Sequence, residues 1–151
     1  MQFRAALLIV AALVLPLATA CAGDGDVDRD DYEETVVETR NRVDTAFGSI
    51  SEAQSRKDFT QRMQEAAVVI GRAADDLGKN DAPEEFEDET DELEAALHQL
   101  SGDLEGTAAQ LRQTPELFET AGLSFEGWTN ANKVLRTLNQ QGISVRPLAR
   151  H

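Results

Sequence analysis

Apolar residues along this chain recur with the period of a helix. From Tyr32 onward, Tyr32, Val36, Val43, Phe47 and Ile50 follow one another at spacings of three, four or seven and so fall on one stripe. The opposite face carries Glu33, Glu34, Glu38 and Arg42. The pattern predicts a first helix over about Asp30 to Ala53. A second stripe, Phe59, Met63, Ala66, Ile70, Ala73 and Leu77, steps alternately by four and three, with Asp58 as its expected N-cap and Gly78 closing it. Pro83 suits a first helical turn because its missing N–H has no partner there, and Glu84, Glu85 and Glu87 favour the same positive end of the helix dipole. A third helix is expected from Pro83 to about Arg112, its stripe running through Phe86, Thr90, Leu93, Leu97, Leu100, Leu104 and Leu111. Gly102 and Gly106 interrupt it and predict a kink or frayed packing, with close approach of a neighbouring helix as the second reading.

Thr114-Pro115-Glu116 opens a short turn through Leu117, Phe118 and Ala121 before Gly122. Ser124 is the expected cap of a last helix with Phe125, Trp128, Ala131, Leu135 and Leu138 on its core face and Gly142 at its end. Ile143 to Leu148 then alternates apolar and polar like an extended segment and is expected to lie along the domain and close its end. Each stripe is too apolar to stand alone in water, and each outer face is too polar for lipid. The predicted fold is therefore all-α: an up-and-down bundle of three to four amphipathic helices with a short extended C-terminal tail.

The first twenty residues do not share this pattern. One charge, Arg4, precedes an unbroken apolar run from Ala5 to Leu15, followed by Pro16 and small residues. That order is a secretory signal peptide, since a transmembrane helix needs ~20 apolar residues and this run meets a helix-breaking proline first. Two readings of its end both cut after Ala20. Ala18-Thr19-Ala20 is an ordinary A-x-A site, which leaves Cys21 as a bare N-terminal thiol. Leu17-Ala18-Thr19-Ala20-Cys21 resembles the lipobox of bacterial lipoproteins, departing from it at Ala18, where that family more often has leucine. The resemblance implies that the Cys21 thiol carries diacylglycerol and that palmitate-like chains hold the protein at a membrane. Cys21 is the single cysteine of the chain, and an unpaired thiol in an oxidising compartment invites unwanted disulfides, which favours the anchor. The organisation expected is a signal peptide over 1–20, a lipidated cysteine and acidic flexible tether over 21–30, and a helical domain over 31–151.

Charge narrows the partners. The chain holds 14 basic and 28 acidic side chains, a formal charge of −14, and losing Arg4 with the leader makes it −15. No Lys/Arg cluster is present to neutralise phosphates, so nucleic acid is not an expected partner. Docking on anionic lipid is disfavoured by the same sign, and any attachment must come from acyl chains. Asp24, Asp26, Asp28 and Asp30 alternate, but a calcium loop begun at Asp24 would place Arg29 and Thr35 where glycine and glutamate are required.

Candidate chemistry is sparse. His98 is the one histidine within a predicted helix, and Asp91, Glu94 and His98 fall on one face of it; di-metal bundles use Glu-x-x-His twice, a pattern this sequence lacks. No phosphate loop, H-E-x-x-H or G-x-S-x-G motif occurs. No catalytic and no metal-binding residues are therefore assigned, and no cofactor. Trp128 is read as core, with Asn130, Asn132 and Asn139 flanking it as possible pocket residues. The expectation is a non-enzymatic envelope lipoprotein that binds or scaffolds an envelope protein outside the cytoplasm. The alternative is a bundle that binds a small ligand or metal in the same space.

Overall fold

A computed structural model describes residues 28–114, 116 and 125–149. The expected signal peptide, Cys21 and most of the expected tether lie outside the described residues, as do Pro115, the segment 117–124 with Ser124, and the last two residues.

Helix α1 spans Arg29–Ser51. The Asp28 carboxylate caps it by accepting the Asp30 N–H at 3.0 Å, and Asp30 and Asp31 occupy the positive first turn. Its buried residues are Tyr32, Val36, Thr39, Val43, Ala46 and Ile50, a strict alternation of four and three. Phe47, expected on this stripe, sits on its flank and is partly buried.

Helix α2 spans Arg56–Leu77. Its N-cap is Ser55 and not Asp58: the Ser55 hydroxyl accepts the Asp58 N–H at 3.1 Å while the Asp58 carboxylate reaches back to the Gln54 N–H at 2.9 Å. This is a variant of the capping box, in which the acidic residue three positions in returns a bond to the entering chain. Arg62 reinforces it, donating to Asp58 at 3.0 Å and to the Ser49 carbonyl of α1 at 2.9 Å. The α1–α2 turn is thereby fixed from both sides.

The third helix is not one piece. Pro83 precedes a 3₁₀ turn, Glu84–Phe86, before helix α3 runs over Glu87–Gln113. The turn swings Phe86 inward, where it stacks on Tyr32 at 5.3 Å between ring centroids. The Tyr32 hydroxyl meets Thr90 Oγ1 at 2.8 Å, satisfying a polar atom that burial would otherwise leave orphaned. Helix α3 continues through Gly102 and Gly106, and a Cβ at either would meet nothing within 4 Å. The close-approach reading of these glycines is therefore wrong, because both face water.

Helix α4 spans Glu126–Gln140. Its N-cap residue, Phe125, has no side chain able to bond the free amides. Asp103 of α3 supplies the missing acceptor, taking the Gly127 N–H at 3.1 Å. At the other end Gly142 has φ +97°, and the Ile143 N–H returns to the Leu138 carbonyl at 3.0 Å, the left-handed stop that glycine favours.

The helices pack in chain order, α1 on α2, α2 on α3 and α3 on α4, which makes an all-α up-and-down bundle with Leu93, Leu97, Leu100, Leu104, Leu135 and Leu138 at its centre. Beyond Gly142 the chain turns back along the seam between α1 and α4. Ile143, Val145 and Leu148 are buried there. The tail thus closes a side of the bundle and not an end. Side chains hold its backbone: Glu33 accepts the Ser144 N–H at 2.9 Å, Arg40 donates to the Pro147 carbonyl at 3.0 Å, Asn132 accepts the Leu148 N–H at 2.7 Å and Asp44 the Ala149 N–H at 2.9 Å. An extended segment without a sheet partner must find such acceptors elsewhere, and α1 and α4 provide them.

Candidate functional site

Residues 34, 38, 41, 45 and 49 of α1 succeed one another by three or four and form a stripe beside its core face. On α2, Glu65, Ala66 and Val69 lie opposite. Between them runs an open groove of about 700 Å³. Its floor is apolar, made by Val37, Ala46, Ala66 and Val69. Ala46 and Ala66 have short side chains and add little bulk to that floor. Glu34, Glu38 and Glu65 stand along the rim with Arg42. The guanidinium of Arg42 is already engaged by Asp76 of α2 at 2.9 Å, so the three rim glutamates are left with the larger share of the local field. The hydroxyls lining the groove are spent on their own helix, Thr45 bonding the Asn41 carbonyl at 2.9 Å and Ser49 that of Ala46 at 2.6 Å.

Val68 and Val69 are the large apolar side chains exposed among the described residues, at 46% and 38%. Val69 is in the groove and Val68 beside it on the outer face of α2. The sequence signal for this was Ala66-Ala67-Val68-Val69-Ile70, five consecutive apolar residues on a helix that can bury only one face. Helical spacing drew attention to the buried members and away from the two that remain outside.

The acidic neighbours of His98 are not those on its own predicted face alone. Its Nε2 lies 3.3 Å from Asp75 of α2 and 3.6 Å from Glu94, all three side chains being partly exposed. Asp91 takes no part in this cluster. Glu94 lies over Gly78, where its carboxyl occupies the space a Cβ would need. Gly78 has φ −69°, so its value there is room and not left-handed geometry. The cluster links the end of α2 to α3 through these polar side chains. Among the described residues no three His, Cys, Asp or Glu side chains are placed to share a metal ion.

Trp128 is half-buried at the opposite end of the bundle from Tyr32. Its ring lies 4.5 Å from that of Phe47, which in turn meets Phe125 edge-on at 5.8 Å. These three rings join α1 to the start of α4. The asparagines flanking Trp128 are engaged in bonds that hold the fold: Asn130 bonds Gln99 at 3.0 Å, Asn132 holds the tail, and Asn139 donates to the Ile143 carbonyl at 3.3 Å.

No family model, curated protein or solved structure matches the chain. No helix among the described residues is long and apolar enough to cross a membrane.

Proposed function

We propose that the mature protein is a lipid-anchored binding module of the cell envelope, held at a membrane through Cys21 and presenting its helical domain outside the cytoplasm. The observation that carries this reading is the position of the single cysteine, immediately after a leader that ends in small residues. Two acyl chains on one cysteine give stable attachment where one chain gives marginal attachment. A formal charge of −15 after loss of the leader keeps the domain itself off anionic headgroups.

The placement of α1 supports the reading. Residues 22–28 separate Cys21 from Arg29, a reach of at most about 29 Å at ~3.6 Å per residue step. The end of the bundle formed by Arg29, Glu85 and Gln141 is then the membrane-proximal one. The groove starts about one turn further along α1 and runs away from it. A binding role is favoured over a catalytic one because the groove is open along its length, whereas catalysis requires groups converging in a site that excludes water.

Two measurements test the anchor. Mass analysis of the N-terminal peptide should find Cys21 acylated, and Cys21→Ser should move the protein from the detergent phase to the aqueous phase. An unmodified Cys21 in the aqueous phase overturns it.

A further inference from the structure

We propose that the groove between α1 and α2 receives a cationic amphipathic helix of a partner protein. This rests on reading the domain as a binding module and is independent of the anchor. From Glu34 to Ser49 the groove follows α1 for about 22 Å at ~1.5 Å per residue, the length of about four helical turns. An apolar stripe laid on Val37, Ala46, Ala66 and Val69 is the helix-in-groove mode, and it covers Val69, which the bundle leaves exposed.

Charge selects among occupants. Glu34, Glu38 and Glu65 line the rim, and the guanidinium beside them is paired with Asp76. A second copy of this chain would bring the same glutamates, on a molecule of formal charge −14, against them. An anionic lipid surface meets the same repulsion. A helix with Lys or Arg flanking its apolar stripe places cations against the three carboxylates and leucine-sized side chains against the floor. Complementary charge at such a rim speeds encounter and weakens with salt.

The test uses the full chain in nanodiscs of neutral phosphatidylcholine, with empty nanodiscs as the blank. The probe is a fluorescent synthetic helix of leucine and lysine, about four turns long, with its leucines on one face. A scrambled peptide of equal composition has no apolar face. Saturable binding of the first and at least about tenfold weaker binding of the second is expected, since a few central apolar contacts carry most of an interface's energy. Val69→Lys should weaken the amphipathic probe about tenfold or more; the residue is exposed, so the fold is retained. Replacing Glu34, Glu38 and Glu65 together by Gln should do the same and flatten the salt dependence. Removing as much charge from exposed positions of α3, with Asp91→Asn, Glu92→Gln and Glu105→Gln, should change affinity by no more than about twofold, since α3 does not line the groove.

Equal binding of the scrambled peptide, equal loss in the α3 variant, an unaffected Val69→Lys, or no saturable binding each overturns the proposal. So does self-association of the chain that Val69→Lys abolishes. Retention in the nanodisc is scored separately by Cys21→Ser, so failure of the groove and failure of the anchor are told apart.

Discussion

Replacing glycine by alanine should have opposite signs at different places in this bundle, and the structure says which. At Gly127, in the first turn of α4, an added Cβ falls 2.6 Å from the Leu100 Cα and 2.8 Å from the Ala96 carbonyl oxygen, closer still to the Leu100 amide. All three atoms are backbone of α3. They cannot swing away as a side chain would, so α4 must move outward by about an ångström or more to restore contact near 3.4–4 Å. That movement draws Ala131, Leu135 and Leu138 off the core. It also stretches the 3.1 Å bond by which Asp103 caps α4. Overpacking of this kind costs about 1–3 kcal/mol, and loss of a cap about 1 kcal/mol.

At Gly102 and Gly106 the same substitution meets open space within a continuous helix. Alanine there removes backbone freedom from the unfolded chain and gains about 0.5–1 kcal/mol per site. Urea unfolding followed by circular dichroism, with Trp128 fluorescence as a second probe, should therefore place the Gly127→Ala midpoint below the parent and those of Gly102→Ala and Gly106→Ala above it, at unchanged slope. A Gly127→Ala protein as stable as the parent would refute the close packing of α4 on α3. Destabilisation by Gly102→Ala would refute the solvent-facing placement of that residue.

Two further outcomes follow from the packing and the charges. Leu148→Ala should cost about 2–4 kcal/mol in urea unfolding, because Leu148 is 5% exposed; a loss below about 0.5 kcal/mol, the range of a surface change, would mean that the tail does not close the seam between α1 and α4. The Asp58 carboxyl is held below the usual range chiefly by the Gln54 amide and then by Arg62, and that of Asp76 chiefly by Arg42 and then by Lys79. Their stabilisation is present above the unfolded-state value of about 3.9 and is lost as pH falls through the lower folded values. Urea midpoints compared near neutrality and near pH 3 should thus fall less for Asp58→Asn and Asp76→Asn than for the parent, and an unchanged difference would show that neither pair contributes.

What the sequence made legible was whatever follows from helical period. The stripes of the four helices predicted most of the buried residues, and Gly142 marked the stop of α4 through a requirement that only backbone conformation imposes. The errors share a different origin. Asp58 was a reasonable cap by residue type, yet Ser55, three positions earlier, competes for the same role and wins by placing Asp58 where it can bond backward. Pro83 suits a helix start equally well for a 3₁₀ turn, and the tighter turn is selected by Phe86 reaching Tyr32, a contact distant in sequence. Gly127 escaped notice because its significance lies in the backbone of α3, which no local pattern reports. The His98 cluster was half visible: Glu94 lies one turn away on the same helix, but Asp75 arrives only when α2 packs on α3.

Helix α1 shows why a polar face need not be an idle one. Its core residues, Tyr32, Val36, Thr39, Val43, Ala46 and Ile50, occupy one side. On the flank toward α4, Glu33, Arg40 and Asp44 hold the backbone of the C-terminal tail. On the flank toward α2, Arg42 reaches Asp76, while Glu34 and Glu38 line the groove. Solubility alone requires only that such residues be charged, and leaves their order along the helix free. The tail instead requires acceptors where its amides emerge and a donor where Pro147 presents a carbonyl, which fixes the positions of Glu33, Arg40 and Asp44. Glu34 and Glu38, one turn apart on the opposite flank, make no comparable contact among the described residues. Their carboxylates line the same groove as Val69, which the fold itself leaves exposed, the combination that a cationic amphipathic helix would satisfy.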